Sequence, residues 1–368
     1  MKGLFLIGII GLILFELLHV YFIMPFPGSQ NMESIDLAYF LYSWRWAIRV
    51  FFVLLILVGV SNTTGKRKWV PWATIILFTI IALGINFRIS ADHMFLQTSN
   101  LMMSQPQSNK VNLSQLVIGI EKNGIAKAYP VQYLGYHHQV LDSIDGSPIM
   151  ITYCTVCRTG RIYEPKVNGR YEVFRLVGMD HFNAMFEDVT TKSWWRQVNG
   201  EAVAGKFKGE RLPELLNTQI SLSNWLIMYP NSFIMQPDPA FLEQYSALEK
   251  FESGKSKSSL VGTDSLSWKN KSWVVGILAG QNAKAYDWNK LKDQRIIHDK
   301  IGDTPILLII SADNKSFFAF ERPSAEMQFI LKNDTMFQNG QQYRLDGKGV
   351  EANGSLKRIQ AYQEFWHS

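Results

Sequence analysis

Three long apolar runs in the first 87 residues constrain the fold more than any other feature of the chain. The run at 4–26 is long enough to cross about 30 Å of hydrocarbon, and so is the run at 70–87. The run at 40–60 contains Arg49, so it spans a membrane only if this side chain reaches the interface. We therefore predict about three transmembrane helices within residues 1–87.

The charged residues around these runs predict an orientation. The first run reads as an uncleaved anchor, because it is longer than the apolar part of a signal peptide and no small-x-small site follows it. Lys66, Arg67 and Lys68 lie between the second and third runs, and the positive-inside rule places them in the cytoplasm. The N-terminus would then be cytoplasmic, and residues 88–368 would be extracytoplasmic.

Beyond the apolar runs, a polar linker at 88–110 leads into a region, 111–368, whose pattern is strand-like. Asn-Gly pairs at 123–124 and 168–169 predict tight hairpins, since this pair favours type I′ turns. The apolar run at 147–156 has the length of a buried strand. We predict an extracytoplasmic domain that is mainly β.

Helical patterning in this region is limited to three pieces, at 209–218, 221–230 and 239–251. The net charge is +6, but several basic residues flank the apolar runs, and the others form no stripe. Without a basic stripe we expect no nucleic-acid partner. Membrane lipid is the partner that the apolar runs predict.

An internal repeat divides the β region. Residues 117–157 align with 274–314 without a gap, so that Gly119 meets Gly276 and Asp142 meets Asp299. A constant offset over this length predicts a duplicated β unit, with copies that begin near 115 and 272.

The two copies differ at their polar positions. The second copy has Ser311 and Asn314 where the first has Cys154 and Cys157, and Gln294 and Arg295 where the first has His137 and His138. Features that one copy lacks are not needed for the fold of the unit. We therefore expect the functional site in the first copy and a scaffold in the second.

The motifs "AYP", "HH", "TYCTVC", "NAMFED", "SWWRQ" and "GEAVAG" occur in this order. Over roughly 115–215, and more weakly in the second copy, the chain resembles the domain-of-unknown-function family 3179. The resemblance implies that His137, Cys154 and Cys157 are family positions. It extends downstream to Met185, Ser193, Trp195, Gln197, Gly200, Glu201, Ala202, Ala204 and Gly205. It implies no activity, because the family has none established.

The chain departs from the family pattern in three places. His138 stands where the family tends to have Glu, and Arg158 stands where it has Gly. Phe182 falls where Asn is usual, with His181 before it and Asn183 after it.

Cys154 and Cys157 are the only cysteines in the chain, and their spacing allows three interpretations. A disulfide brace would close a loop of four residues and stabilise the fold by roughly 2 kcal/mol, a poor reason for this spacing. A redox dithiol would use Arg158 or the histidines as the cation that favours the thiolate. A metal site would combine both cysteines with His137 and His138.

The metal site is the leading hypothesis, and its thiolate and imidazole ligands suit copper or zinc. Adjacent residues on a strand point to opposite faces, so His137 and His138 can share a metal only at a bend. His181 is an alternative ligand. Other residues that could line the site are Asn183, Trp195, Gln197, Glu201 and Arg158.

The sequence thus predicts a membrane-anchored, extracytoplasmic domain that binds or handles a transition metal. A thiol–disulfide oxidoreductase and a non-catalytic envelope scaffold are the alternatives. A metal or redox partner protein in the cell envelope would accompany the first two functions. Whether the chain is an enzyme stays open.

Overall fold

A computed structural model describes residues 2–60, 69–351 and 354–367, without the side chains of Lys2 and Val70. The cluster Lys66, Arg67 and Lys68, on which the predicted orientation depends, falls outside these residues. The chain forms two compact units. The first consists of Met1–Leu96 and Glu172–Arg211, and the second of Gln97–Tyr171 and Leu212–Ser368.

The α-helices are short except near the N-terminus. They are α1 Lys2–Tyr21, α2 Ile35–Ser43, α3 Arg45–Val60, α4 Val70–Gly84, α5 Ala91–Met94, α6 Val131–His137, α7 Leu222–Met228, α8 Leu242–Ala247, α9 Glu249–Glu252 and α10 Trp288–Gln294. A π-helical turn, Ile85–Ile89, continues α4, and 3₁₀ turns occupy Ser29–Asn31, Pro106–Ser108 and Pro239–Phe241.

The strands are more numerous, as the sequence predicts. They are β1 Met103–Ser104, β2 Leu116–Lys122, β3 Ile125–Pro130, β4 Gln139–Ile144, β5 Ser147–Cys154, β6 Thr159–Tyr163, β7 Lys166–Val167, β8 Arg170–Tyr171, β9 Phe174–Asp180, β10 Asn183–Asp188, β11 Trp194–Arg196, β12 Ala202–Ala204, β13 Thr218–Ser221, β14 Phe233–Met235, β15 Trp273–Ala279, β16 Asn282–Asp287, β17 Ile296–Ile301, β18 Thr304–Ile310, β19 Phe317–Glu321, β20 Ile330–Lys332, β21 Thr335–Gln338, β22 Gln341–Tyr343, β23 Lys357–Ile359 and β24 Ala361–Phe365.

The helices of the first unit include two stretches that are long and apolar enough to cross a membrane, Gly3–Tyr21 and Pro71–Ile89. α2 and α3 form a third if they count as one span, although the chain bends by 63° between them. The predicted apolar segments therefore coincide with helices of suitable length. α1 ends before the predicted position 26, because Pro25 and Pro27 follow and proline cannot continue a helix.

The first unit also contains a four-stranded sheet in the order β12-β11-β10-β9. Trp194 and Trp195 lie on its strand β11 and are buried. Within this unit the Trp194 ring packs against Tyr39 and Tyr42 of α2, with centroids 5.0 and 5.2 Å apart. The tryptophans of the "SWWRQ" motif are therefore core residues.

The second unit contains the remaining sheets. The largest has the order β1-β14-β3-β2-β13, and the cysteine-bearing strand belongs to a smaller sheet, β4-β5-β6. Further along the chain come β16-β15-β24 and β17-β18-β19-β23. A shared core of buried Val, Ile, Leu, Tyr and Phe side chains supports both the β1-β14-β3-β2-β13 sheet and the β4-β5-β6 sheet.

Two local predictions are confirmed and one is wrong. Asn123-Gly124 joins β2 to β3, and Asn168-Gly169 joins β7 to β8, with positive φ at all four residues. The helix predicted at 209–218 is absent from this described segment. Pro213 interrupts it, and Arg211 and Glu214 form bridges to Glu201 and Tyr163 instead.

Candidate functional site

Cys154 and Cys157 lie at the tip of a β-hairpin in the second unit. Cys154 is the last residue of β5 and pairs with Thr159, the first residue of β6. The backbone N–H of Arg158 donates to the Cys154 carbonyl at 2.8 Å and closes the intervening turn. The turn therefore brings Cys157 back close to Cys154.

The turn also provides a hydrogen bond to sulfur. The backbone N–H of Cys157 donates to Sγ of Cys154 across 3.3 Å. Both side chains are thiols and are buried, with 1% of Cys154 and none of Cys157 exposed. The N–H directed at sulfur favours the thiolate, whereas burial favours the neutral thiol.

Arg158 is held away from solvent by its own contacts. Its Nη1 and Nη2 each donate a 2.7 Å hydrogen bond, to the carbonyls of Phe251 and Glu252 in α9. Its guanidinium lies 4.4 Å from the Phe251 ring centroid and 4.5 Å from that of Trp273. Burial lowers the pKa of Arg158. This arginine therefore anchors the hairpin tip to the end of α9.

Lys271 is a cation that interacts electrostatically with the two cysteines, and the sequence analysis did not identify it. Burial lowers the pKa of this half-buried lysine, whereas negative charge on Cys157 and Cys154 raises it. Its ammonium donates to the Leu260 carbonyl and lies 5.0 Å from the Phe365 ring centroid. The Phe365 N–H in turn donates to the Cys157 carbonyl at 3.0 Å. Nothing in the local sequence around the cysteines indicates these contacts.

The two predicted histidine ligands lie where α6 ends. His137 is fully buried, and its Nε2 shares a 2.6 Å hydrogen bond with the Tyr245 hydroxyl. His138 has a φ of +59° and caps the helix, so the bend that a shared metal would require is present. The His138 carbonyl accepts a 2.9 Å hydrogen bond from the N–H of Tyr153, the residue before Cys154.

The ring of His138 is neutral over the physiological range. Burial, and then the neighbouring His137, lower the pKa of His138 to about 4. Among the residues that the structure describes, no three His, Cys, Asp or Glu side chains are grouped so that they could hold a metal ion. The predicted ligand set therefore stays a prediction.

The other predicted site residues belong to the first unit, and their contacts there are defined. His181 lies between Asp180, 2.7 Å from its Nδ1, and Glu33, 3.5 Å from its Nε2. Asn183 donates to the His181 carbonyl at 3.1 Å. Both the Cys-x-x-Cys turn and Arg158 belong to the second unit.

The remaining three are parts of the β9–β12 sheet and its loops. Trp195 donates from its indole N–H to Asp188 at 2.9 Å, and the buried Gln197 donates from its backbone to the Ala184 carbonyl at 2.8 Å. Glu201 lies 3.5 Å from the Arg211 guanidinium. These contacts give all three a structural role within the first unit.

The family model described as "Protein of unknown function (DUF3179)" matches residues 98–368. The chain belongs to this family. No curated protein and no solved structure matches the chain. The match confirms the resemblance inferred from the motifs and covers the chain from residue 98 to residue 368.

All three departures from the DUF3179 pattern occur at positions with positive φ. His138, in place of Glu, has a φ of +59°. Arg158, in place of Gly, has a φ of +63°, and Phe182, in place of Asn, has a φ of +64°. Gly and Asn adopt this conformation most readily. At positions 158 and 182 the usual family residues thus match the backbone, and this chain keeps those two turns with less suitable side chains.

Proposed function

We propose that Cys154 and Cys157 form a thiol–disulfide exchange site. The observation that carries the proposal is the hydrogen bond from the Cys157 N–H to the Cys154 sulfur at the hairpin tip. This bond, together with the positive charge of Lys271, favours a thiolate at Cys154. A thiolate with a second thiol in the same turn is the arrangement that exchange requires.

The proposed exchange transfers two electrons from Cys154 and Cys157 to a disulfide of a partner protein. The Cys154 thiolate attacks one sulfur of the partner disulfide, and the other partner sulfur leaves as a thiolate. Cys157 then loses its proton and attacks Cys154, which releases the second partner thiolate. Cys154 and Cys157 are oxidised to a disulfide, and the partner disulfide is reduced to two thiols. Because both sulfurs are buried, the residues that cover them must open for each exchange.

Binding of a soft transition metal is the second candidate function. The observation that favours it is the neutral imidazole of His138, since metal ligands must be unprotonated. Buried thiolates suit copper(I), and a copper or zinc site with both histidines remains the alternative that the sequence favours. An envelope scaffold is the third candidate, in which the thiols have no role.

The deciding experiment uses the full-length chain, purified in detergent without chelator. We expect less than one tenth of an equivalent of copper or zinc per chain, and two thiols that reversibly form a disulfide. The Cys154→Ser variant should lose this redox couple, whereas Thr155→Ser, in the same turn, should keep it. One equivalent of metal that is lost in Cys154→Ser would refute exchange in favour of metal binding. Thiols that resist oxidation, with no metal, would favour the scaffold.

We also infer that the two repeat copies are duplicated units. Each copy carries a Lys–Asp ion pair, Lys127 with Asp142 at 2.8 Å and Lys284 with Asp299 at 2.6 Å. Each aspartate also accepts a hydrogen bond from a tyrosine hydroxyl, of Tyr129 or Tyr286. Seven-residue helices, α6 and α10, follow at equivalent positions. Shared polar contacts at a constant offset support a common origin.

The extracytoplasmic location of residues 88–368 is likewise a proposal. It is supported by the basic cluster at 66–68 and by the exchange chemistry, since disulfides persist outside the cytoplasm. An alkaline phosphatase fusion after residue 368 should be active, and one after residue 65 inactive. The opposite pattern would place the thiols in the cytoplasm.

A further inference from the structure

A cavity of about 650 Å³ opens between α1, α3 and α4 of the first unit. Most of its wall is apolar, with side chains such as Leu12, Val53, Phe78 and Leu83. Its volume falls within the range of about 300–1,000 Å³ that is typical of ligand sites. Of the lining helices, α1 and α4 belong to stretches that are long and apolar enough to cross a membrane, and α3 does so only together with α2. With these helices in a membrane, the cavity would open to lipid.

One end of the cavity is polar. Arg49 of α3 donates to both carboxylate oxygens of Glu16 in α1, at 2.7 and 3.0 Å. Asn86, in the π-helical turn after α4, donates to Glu16 at 2.9 Å and accepts from Arg49 at 2.8 Å. The three residues join three helices, and a π turn is often found at functional sites. Ionisable groups on membrane-spanning helices are costly to bury, so they often mark functional sites.

Arg45 lies one helical turn before Arg49 and lines the same cavity. Within the described part of the chain, it donates one hydrogen bond, to the Tyr42 carbonyl at 2.6 Å, and stacks on the Tyr42 ring. The cavity wall thus contains two arginines and one glutamate, a net charge of +1. Glu16 neutralises Arg49, which leaves the charge of Arg45 for a ligand.

Exposed tryptophans flank Arg45, in the arrangement typical of a membrane interface. Trp44 and Trp46 flank Arg45 and are 58% and 67% exposed. Trp69 and Trp72 flank the start of α4, and the contact of Asn86 with Arg49 shows that α4 runs antiparallel to α3. The two tryptophan pairs therefore mark opposite ends of the helices, as aromatic residues do at the two membrane surfaces.

We propose that this cavity binds one anionic phospholipid. The phosphodiester lies against Arg45 at the level of Trp44 and Trp46, and an acyl chain occupies the apolar wall. The single unneutralised charge of the wall matches the single negative charge of a phosphodiester. The proposal is independent of the thiol chemistry and requires only that α1, α3 and α4 lie in the membrane.

Native mass spectrometry of the full-length chain in detergent tests this site. Dioleoyl phosphatidylglycerol should bind about fivefold more tightly than dioleoyl phosphatidylcholine, since one arginine near the headgroup contributes about 1 kcal/mol. Arg45→Gln should abolish the preference, and Arg45→Lys should retain it. Arg88→Gln is the matched control, because Arg88 is exposed near the end of the same helices and does not line the cavity. Val53→Trp should fill the apolar wall and weaken both lipids.

Three outcomes would overturn the proposal. Equal binding of the two lipids to the native chain would remove the role of charge, and this comparison needs no variant to fold. A preference that survives in Arg45→Gln would place the phosphodiester elsewhere. Displacement of phosphatidylglycerol by an equimolar neutral quinone would assign the cavity to an uncharged amphiphile.

Discussion

Arg158 shows how a single residue can serve the cysteine turn in two ways. Its backbone adopts a φ of +63° to close the turn, and its guanidinium joins the turn to α9. A left-handed conformation costs a non-glycine residue roughly 1–2 kcal/mol. The hydrogen bonds and ring contacts of the side chain offset this cost. The usual DUF3179 glycine would avoid the cost but could not make those contacts.

Two substitutions at position 158 separate these contributions. Arg158→Gly and Arg158→Ala both remove the guanidinium, but only Gly relieves the backbone. We expect the alanine variant to be about 1 kcal/mol less stable than the glycine variant, and both to be less stable than the native chain. Denaturant unfolding of the full-length chain in detergent measures the difference. Equal stability of the two variants would show that the positive φ at residue 158 does not strain the backbone.

Lys271 provides a test of the thiolate at the residue scale. Replacing it with Met removes the positive charge beside the sulfurs, so the thiolate becomes less favourable. We expect alkylation of the reduced thiols at pH 7 to slow several-fold and its pH profile to move upward. Lys269→Met is the control, because Lys269 is exposed nearby in the chain. A profile that Lys271→Met leaves unchanged would argue against any influence of this charge.

Asp313 braces the hairpin turn between β18 and β19. Its carboxylate accepts hydrogen bonds from the Ser316 and Ser221 hydroxyls, at 2.6 and 2.7 Å, and from Asn224 at 2.9 Å. Burial alone would raise the pKa of Asp313, but hydrogen bonds, first from Ser316, lower it below its usual value near 3.8. The ionised carboxylate therefore stabilises this turn.

The lowered pKa of Asp313 makes its contribution to stability depend on pH. Because the folded state holds the proton less tightly, the stabilisation is complete above about pH 4 and declines as the pH falls through the lowered pKa. Asp313→Asn should lower the free energy of unfolding by about 1–3 kcal/mol at pH 7, and the variant should then lose less stability than the native chain as the pH falls. Urea unfolding between pH 2.5 and 7 measures both effects. If the variant lost as much stability at acidic pH as the native chain, the acid sensitivity would belong to other carboxylates.

At the scale of elements, α1 and α3 pack through glycines. A Cβ at Gly59 of α3 would lie 2.4 Å from the backbone N of Phe5, and one at Gly8 of α1 would lie 2.7 Å from Ile56. Small residues allow helices to approach closely where no hydrophobic effect drives them together. The polar cluster of Glu16, Arg49 and Asn86 then fixes which faces meet.

Gly59→Ala should therefore destabilise the helix pair, by about 1–3 kcal/mol, because backbone atoms must move apart. Gly84→Ala is the matched control, since nothing lies within 4 Å of its Cβ position. Alanine favours a helix, so this control should keep or raise the thermal midpoint in detergent. If both variants lowered the midpoint equally, close packing would not be the cause.

The elements also show which features a sequence reveals. The hairpins at Asn123-Gly124 and Asn168-Gly169 were predictable, because two adjacent residues decide the turn. The bend at His138 was foreseen only as a requirement of a shared metal. Lys271 was not predictable as a neighbour of the thiols, because its position depends on packing between segments far apart in the chain.

For the whole molecule, the division into two units predicts the result of truncation. Residues 172–211 belong to the unit that begins at the N-terminus, where the Met179 N–H donates to the Ile23 carbonyl at 2.8 Å. A chain of residues 97–368 lacks Ile23 and the α2 side chains that cover Trp194. We expect β9–β12 to lose protection from hydrogen exchange, while β5 and β6 keep theirs as the internal control. Full protection of β9–β12 would show that this sheet folds alone.

Because the two units alternate along the chain, the ribosome synthesises their parts in alternation. The first unit begins at Met1 but ends at Arg211, and 75 residues of the second unit, 97–171, are made in between. At roughly 5–20 residues per second, about 4–15 s pass between the translation of residue 96 and that of residue 172. The strands that complete the first unit therefore arrive only after β5 and β6. Until then the surface that receives Trp194 is exposed, and a chaperone that acts on the nascent chain would find its target there.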